Sequence, residues 1–283
     1  MCDVLLYQGI IELPTTIVSD NPFWKALPKD EKRRGKWLFG KRRYLSGELF
    51  LCDEIQIDER GNEKNPLGFF DKPIEVPVIY QNGRPWMSLI PHEIATMKKA
   101  IEEAKGRVLT YGLGLGYFAV MAALKNDVKS VTVVERDYRA IELFQEYIAP
   151  LFPEAKKIHI IRMDALKHAQ TIQGHQYDFV FVDIWHNGDD GWEPYIAFRH
   201  CFAKMPDPKV AYWIEKTLLE FIRRAAIIVL AEVEDGATDE DFSIAANPEE
   251  KLLNSIYRLF RQKRFEIDLS DEVLRKYAEI LDI

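Results

Sequence analysis

Cysteine is scarce. Three stand among 283 residues, Cys2, Cys52 and Cys201, without a Cys-x-x-Cys pair or a Cys/His spacing. That argues against a disulfide framework and gives no zinc signature. No apolar run approaches the ~20 residues of a membrane-spanning helix. The longest, AAIIVLAEV at 225–233, reads as a buried helix or strand. The first residues, MCDVLLYQGIIELP, carry neither a basic segment nor a long apolar core. No secretory leader is therefore expected, and a cytoplasmic location with no membrane association is the simplest reading. Excess positive charge is also lacking: a net charge of −7 opposes binding of nucleic acid by the surface as a whole. Internal repeats and low-complexity tracts are missing too.

What is present is an ordinary globular composition, 47% hydrophobic, sufficient for a large core. Residues 1–45, punctuated by Pro14, Pro22 and Pro28, read as irregular or short helices. Residues 48–58 partly alternate in polarity, as a half-buried strand does. IEVPVIY at 74–80 and WMSLI flank Asn82-Gly83, a pair that tolerates the positive φ of a hairpin turn. Residues 1–87 are thus expected to form a small, mostly β attachment. A helix is expected over 91–105, with Pro91 in its first turn and Gly106 as its cap.

From residue 107 short apolar runs alternate with helical ones: RVLTY, VKSVTVVE, KIHIIRM, YDFVFVDI and VAYWIE are the strands. Such a rhythm implies a doubly wound, mostly parallel, Rossmann-like α/β sheet, whose ligands bind at the carboxyl ends of its strands. After about residue 215 the pattern is helical to the end. The second expected domain is therefore 88–283, a Rossmann-like sheet with a helical extension.

The stretch LTYGLGLGYFAV (109–120) places Gly112, Gly114 and Gly116 between the first strand of that sheet and its helix. Glycine permits a sharp turn and close approach of backbone to a ligand. A dinucleotide fingerprint would need a third glycine where Tyr117 stands, which argues against an NAD-dependent oxidoreductase. Glu135 ends the second strand, 19 residues after Gly116. A carboxylate there can accept two hydrogen bonds from ribose hydroxyls. Asp164-Ala165 follows the third strand, and Asp183 ends the fourth.

Over roughly residues 88–215 this set resembles the class I S-adenosylmethionine-dependent methyltransferases. The resemblance implies S-adenosylmethionine as cofactor. Gly112, Gly114, Gly116, Tyr117, Glu135, Asp164 and Ala165 would hold it, with Asp164-Ala165 against the adenine, and Asp183 would lie on the substrate side. The layout is similar to the spermidine-synthase-like branch, which also lacks an acid at the position of Thr110, carries a triplet like Pro91-His92-Glu93 and has a mostly β N-terminal attachment. The chain departs from the polyamine enzymes at Leu115 and His186, where they carry acids, and lacks the proline that follows. Methyl transfer to a small-molecule acceptor is therefore expected, with Asp183 and His186 as catalytic residues. Aminopropyl transfer and a non-catalytic nucleotide- or RNA-binding module are the alternatives. Trp185 is placed to stack on an acceptor or to be buried beneath its loop.

One run stands apart. KRRGKWLFGKRR (32–43) carries seven basic residues in twelve, with Trp37 and Phe39 among them. Such a run can hold RNA or an acidic partner, or form a solvated face balanced by nearby acids. GDDGWE (188–193) lacks the spacing of a calcium loop, and no metal is expected.

Overall fold

The computed structural model describes residues 9–28, 30–57, 63–203, 205, 208–262 and 267–283. Cys2 lies outside them. The chain divides into two compact units, residues 1–184 with 207–213, and residues 185–206 with 214–283.

The first unit begins with β1 (Ile11–Leu13), α1 (Thr16–Ser19) and α2 (Pro22–Ala26). Next come β2 (Lys32–Arg34), β3 (Trp37–Tyr44), β4 (Phe50–Leu51), β5 (Gln56–Ile57), β6 (Glu63–Lys64) and β7 (Leu67–Phe70). β8 (Ile74–Gln81) and β9 (Arg84–Ser88) form the hairpin expected from Asn82-Gly83, whose φ values are 53° and 77°. Three small sheets result, with strand orders β1-β7-β4, β2-β3-β8-β9 and β5-β6.

Two readings of this region need correction. The basic run is not irregular: β2 and β3 form a hairpin across Gly35, and β3 pairs with β8 along all eight of its residues. Trp37, Phe39 and Tyr44 point inward and are buried. Seven cations within that hairpin hide the alternation. Residues 48–57 form no continuous strand, only the two-residue strands β4 and β5, and between them the Asp53 carboxylate accepts from the Glu54 amide at 2.8 Å.

The main sheet follows α3 (Pro91–Glu103). Its elements are β10 (Gly106–Tyr111), α4 (Tyr117–Ala123), β11 (Val128–Glu135), α5 (Tyr138–Tyr147), β12 (Ile158–Arg162), α6 (Ala165–Ala169) and β13 (Phe179–Val182). After α7 (Gly188–Phe202), which belongs to the second unit, β14 (Lys209–Tyr212) completes it. All five strands are parallel, in the order β12-β11-β10-β13-β14. The order reverses between β10 and β13, the switch point at which ligands of open α/β sheets bind. β13 is buried at all four positions, as a strand covered on both faces must be. α4, α5 and α6 all contact β11. This is a doubly wound, all-parallel, Rossmann-like α/β sheet with additional small β-sheets.

The second unit is helical. It contains α7, α8 (Glu215–Glu234), α9 (Pro248–Gln262) and α10 (Asp271–Ala278). α8 is one long helix in which the run 225–233 is only partly buried, with Ile227, Ile228 and Val233 exposed, and α7, α9 and α10 contact it. Glu215 ties three of these helices together: it accepts from the Tyr195 hydroxyl at 3.0 Å and from Arg275 Nε at 2.9 Å. Among the described residues, no helix is long and apolar enough to cross a membrane.

Candidate functional site

The glycine loop joins β10 to α4. All three glycines have positive φ, +91° at Gly112, +51° at Gly114 and +81° at Gly116. Gly112 is the most constrained, because a Cβ there would lie 1.9 Å from the backbone carbonyl oxygen of Asp183. At Gly114 the neighbour is the Met87 sulfur, and at Gly116 it is the Phe144 ring. Met87 comes from β9, and its Sδ also accepts from the Leu115 amide at 3.4 Å. The loop therefore meets protein on three sides, and its bareness serves packing as well as any ligand. Nothing in the sequence marked Met87, since a weak sulfur acceptor from a distant hairpin has no motif.

Tyr117, the first residue of α4, is buried. Its hydroxyl accepts from Asn21 Nδ2 at 3.1 Å, and its ring meets Phe23 edge-on at 5.4 Å. It thereby fastens α2 to α4. Tyr117→Phe is expected to lower stability by about 1 kcal/mol, the usual net worth of such a bond, which denaturant unfolding of the two proteins measures.

Glu135 stands at the end of β11, beside the loop. Its Oε1 accepts from the Asp137 amide at 2.8 Å and its Oε2 from the Leu113 amide at 3.3 Å. Burial pushes its pKa up, and those amides hold it partly back. The result is a fixed, poorly solvated carboxylate with acceptor capacity left over, a donor-seeking group that fits a ribose diol. Asp164 follows β12 and caps α6, its Oδ1 accepting from the Lys167 amide at 3.0 Å. Ala165 opens that helix. The Asp164 and Glu135 segments are neighbours, since Glu135 pairs with Arg162 and its carbonyl accepts from the Met163 amide.

The strongest electrostatic signal is at Asp183, just past β13. Its amide donates to the Tyr111 carbonyl at 3.0 Å, locking it to the end of β10. Burial of the carboxyl raises its pKa to about 7. Glu93, in the first turn of α3, is also pushed well above the usual carboxylate range, first by burial and then by the charge of Asp183. An ionised Asp183 therefore disfavours ionisation of Glu93 at the switch point. Next to Glu93, His92 holds its Nδ1 2.8 Å from the Asp53 carbonyl oxygen. A carbonyl only accepts, so Nδ1 carries the proton and Nε2 the lone pair. Burial lowers the pKa of this ring, which meets Trp213 at 6.4 Å. The Trp213 indole donates to Thr96 Oγ1 at 2.9 Å. The first turns of α3 thus lie over the ends of β13 and β14, with one acid and one imidazole directed there. Sequence reading noticed Pro91-His92-Glu93 only through the resemblance.

His186 and Trp185 belong to the second unit. His186 is exposed, and its amide donates to both carboxylate oxygens of Asp190 at 3.0 Å. Asp190 closes a capping box with Asn187 at the start of α7. Trp185 is buried, and its ring packs within van der Waals reach of Gly191.

The basic hairpin is largely answered by the chain's own acids. Arg34 pairs with Glu146 and approaches Glu142 at 4.0 Å. Lys36 meets Asp137 at 3.2 Å, Lys41 meets Glu75 at 3.6 Å, and Arg42 meets Glu48 at 3.2 Å. Lys32 lies over the Tyr147 ring. The hairpin therefore faces the acidic side of α5.

No family model and no curated protein matches the chain. Solved structures do resemble it. A probable spermidine synthase from Corynebacterium glutamicum is 15% identical over 69% of this chain and 70% of its own, with a TM-score of 0.42. Spermidine synthase from Thermotoga maritima is 13% identical over 65% of each chain, TM-score 0.36. The PRMT1 enzyme–prozyme complex of Trypanosoma brucei, solved with AdoHcy, is 16% identical over 41% of this chain and 36% of its own, TM-score 0.30. The fold assignment rests on the strand order described above.

Proposed function

We propose that the chain is an S-adenosylmethionine-dependent methyltransferase acting on a small-molecule amine. One observation carries this reading: the desolvated carboxyl of Asp183, raised to about 7, stands at the switch point against Gly112 of the glycine loop, where its charge also acts on Glu93. A general base works best when its pKa lies near the working pH. A protonated amine also offsets the cost of a poorly solvated Asp183 carboxylate, so the site favours a cationic acceptor over a neutral one.

The residues present fit the cofactor at its ribose, where Glu135 offers a fixed carboxylate. Asp164-Ala165 would border the adenine, and the loop of Gly112, Gly114 and Gly116 would border the amino-acid end. When bound, S-adenosylmethionine supplies an electrophilic methyl group on a sulfonium. Asp183 takes a proton from the acceptor ammonium, which frees the nitrogen lone pair. Glu93, pushed above the usual carboxylate range by burial and then by the Asp183 charge, would border the acceptor. His92, neutral and with its tautomer fixed, presents Nε2 beside them.

The test is methyl transfer from labelled S-adenosylmethionine to a panel of primary and secondary amines across pH. Turnover is expected to rise with pH to a plateau above about 7, the limb that a base of that pKa imposes. Binding of S-adenosylhomocysteine with no methylated amine at any pH would refute the enzymatic reading. A separate expectation concerns the cofactor: Glu135→Ala weakens S-adenosylhomocysteine binding at least tenfold, about 1.4 kcal/mol. Calorimetric titration of the variant measures it, and unchanged affinity removes Glu135 from the site.

A further inference from the structure

The first turn of α3 carries Glu93 and His92, yet the helix end itself gives that turn little hold. Ile90 precedes it and supplies no side-chain cap, and Pro91 has no N–H to bond. The hold comes from one turn further along. Thr96 Oγ1 donates to the His92 carbonyl at 2.9 Å and lies 3.3 Å from the Glu93 carbonyl. The same oxygen accepts from the Trp213 indole Nε1 at 2.9 Å. The bonds run in one direction, indole to hydroxyl to carbonyl, and each strengthens the next.

Trp213 is well placed to anchor such a chain. It is buried, and its amide donates to the Val182 carbonyl at 3.0 Å. Val182 is the residue before Asp183, whose own amide is tied to the Tyr111 carbonyl. The backbone leaves Trp213 through Ile214, whose φ of +48° is left-handed and costly for a β-branched side chain. Trp213 therefore joins two points. Its main chain holds the strand end at Asp183, and its side chain holds the helix turn at Glu93.

We infer that Trp213 and Thr96 are positioning residues, a strut that keeps the first turn of α3, with Glu93 and His92, against the strand end carrying Asp183. The inference rests on the acceptor-side roles proposed for those acids. Both residues act through the groups they place. Burial raises Asp183 to about 7, and the Asp183 charge adds to the burial of Glu93. Without the strut the turn lifts, water reaches both carboxyls, and both fall toward ordinary values.

Thermal unfolding of the full chain across pH tests this without turnover, and methyl transfer to amines adds a second readout. The wild type loses stability as pH rises to about 7, because the folded state holds the Asp183 proton that long. Thr96→Val keeps the shape of the side chain and removes the hydroxyl. Trp213→Phe keeps a ring and removes the donor. In each variant the loss of stability is complete at least about one pH unit lower. The double variant shifts no further than the worse single one, because one bond is broken in all three. Turnover falls at least about tenfold, within the hundredfold that a misplacement of about 1 Å can cost. S-adenosylhomocysteine affinity stays within about twofold, since Glu135 makes no contact with the strut. Thr96→Ser restores the hydroxyl and with it the wild-type limb. A merely structural bond would lower the midpoint equally at every pH. A limb near 7 that stays in place in both single variants, or a Thr96→Ser variant as impaired as Thr96→Val, overturns the inference and leaves the proposed base standing. A wild type without that limb removes the base assignment, and the inference with it.

Discussion

Asp183→Asn removes turnover and stabilises the protein above neutral pH. The activity loss is expected to be at least a hundredfold, the lower end of what a positioned base contributes. The stability gain follows from the direction of the pKa shift. An unfolded chain releases the Asp183 proton near pH 3.9, while the folded chain holds it until about 7. Between those values the folded state binds the proton more tightly, so the wild type loses stability as pH rises from about 4 to 7 and stays at the lower level beyond. Asparagine cannot ionise and escapes that loss. The variant should melt higher than the wild type at about pH 8, and the difference should shrink as pH falls through 7 and vanish near 4. Glu93 adds a check: with the Asp183 charge gone, one cause of its raised pKa disappears, so the residual pH dependence of the variant moves to lower pH. A variant that loses activity without gaining stability at high pH would mean that Asp183 is solvated, and the base assignment would fail.

Gly112→Ala is expected to be the most damaging single methyl group in the sheet. Its φ of +91° is uncomfortable for any residue with a Cβ, and that Cβ would sit 1.9 Å from the Asp183 carbonyl oxygen. The obstacle is backbone, so no side-chain rotation relieves it. β10 and β13 must part, and Asp183 moves with them. A loss on the order of 3 kcal/mol or more is expected, lowering the midpoint by at least about 6 °C in a domain of this size. Gly47→Ala separates the two causes. Gly47 has a similar φ of +79° and nothing within 4 Å of the added carbon, so it should lose only about 1–2 kcal/mol, the left-handed penalty alone. Equal losses at the two positions would show that the close approach at Gly112 is relaxed away.

The parallel sheet was legible because each of its strands is a compact apolar run with a helix-forming segment after it. The strand ends were legible for the same reason: Glu135, Asp164 and Asp183 fall where apolar runs stop. The β2–β3 hairpin was not, because Lys32, Arg33, Arg34, Lys36, Lys41, Arg42 and Arg43 read as a charge cluster while Trp37 and Phe39 did the folding. Glu93 and His92 were legible only as a fragment of a resemblance. An acid in a first turn is ordinary on helix-dipole grounds, and its meeting with Asp183 depends on a contact across 90 residues of chain. Met87 had no sequence signal at all. Asp164 caps α6 through its Oδ1, which leaves its second oxygen available.

The most direct test is calorimetric titration of the full chain with S-adenosylhomocysteine, alongside S-adenosylmethionine, decarboxylated S-adenosylmethionine and NAD. The account predicts one site per chain for the first two, weakened at least tenfold by Glu135→Ala, with no binding of NAD. Binding confined to the decarboxylated compound would return the chain to polyamine chemistry. Silence from all four would mean that the glycine loop, bounded by Asp183, Met87 and Phe144, serves packing alone.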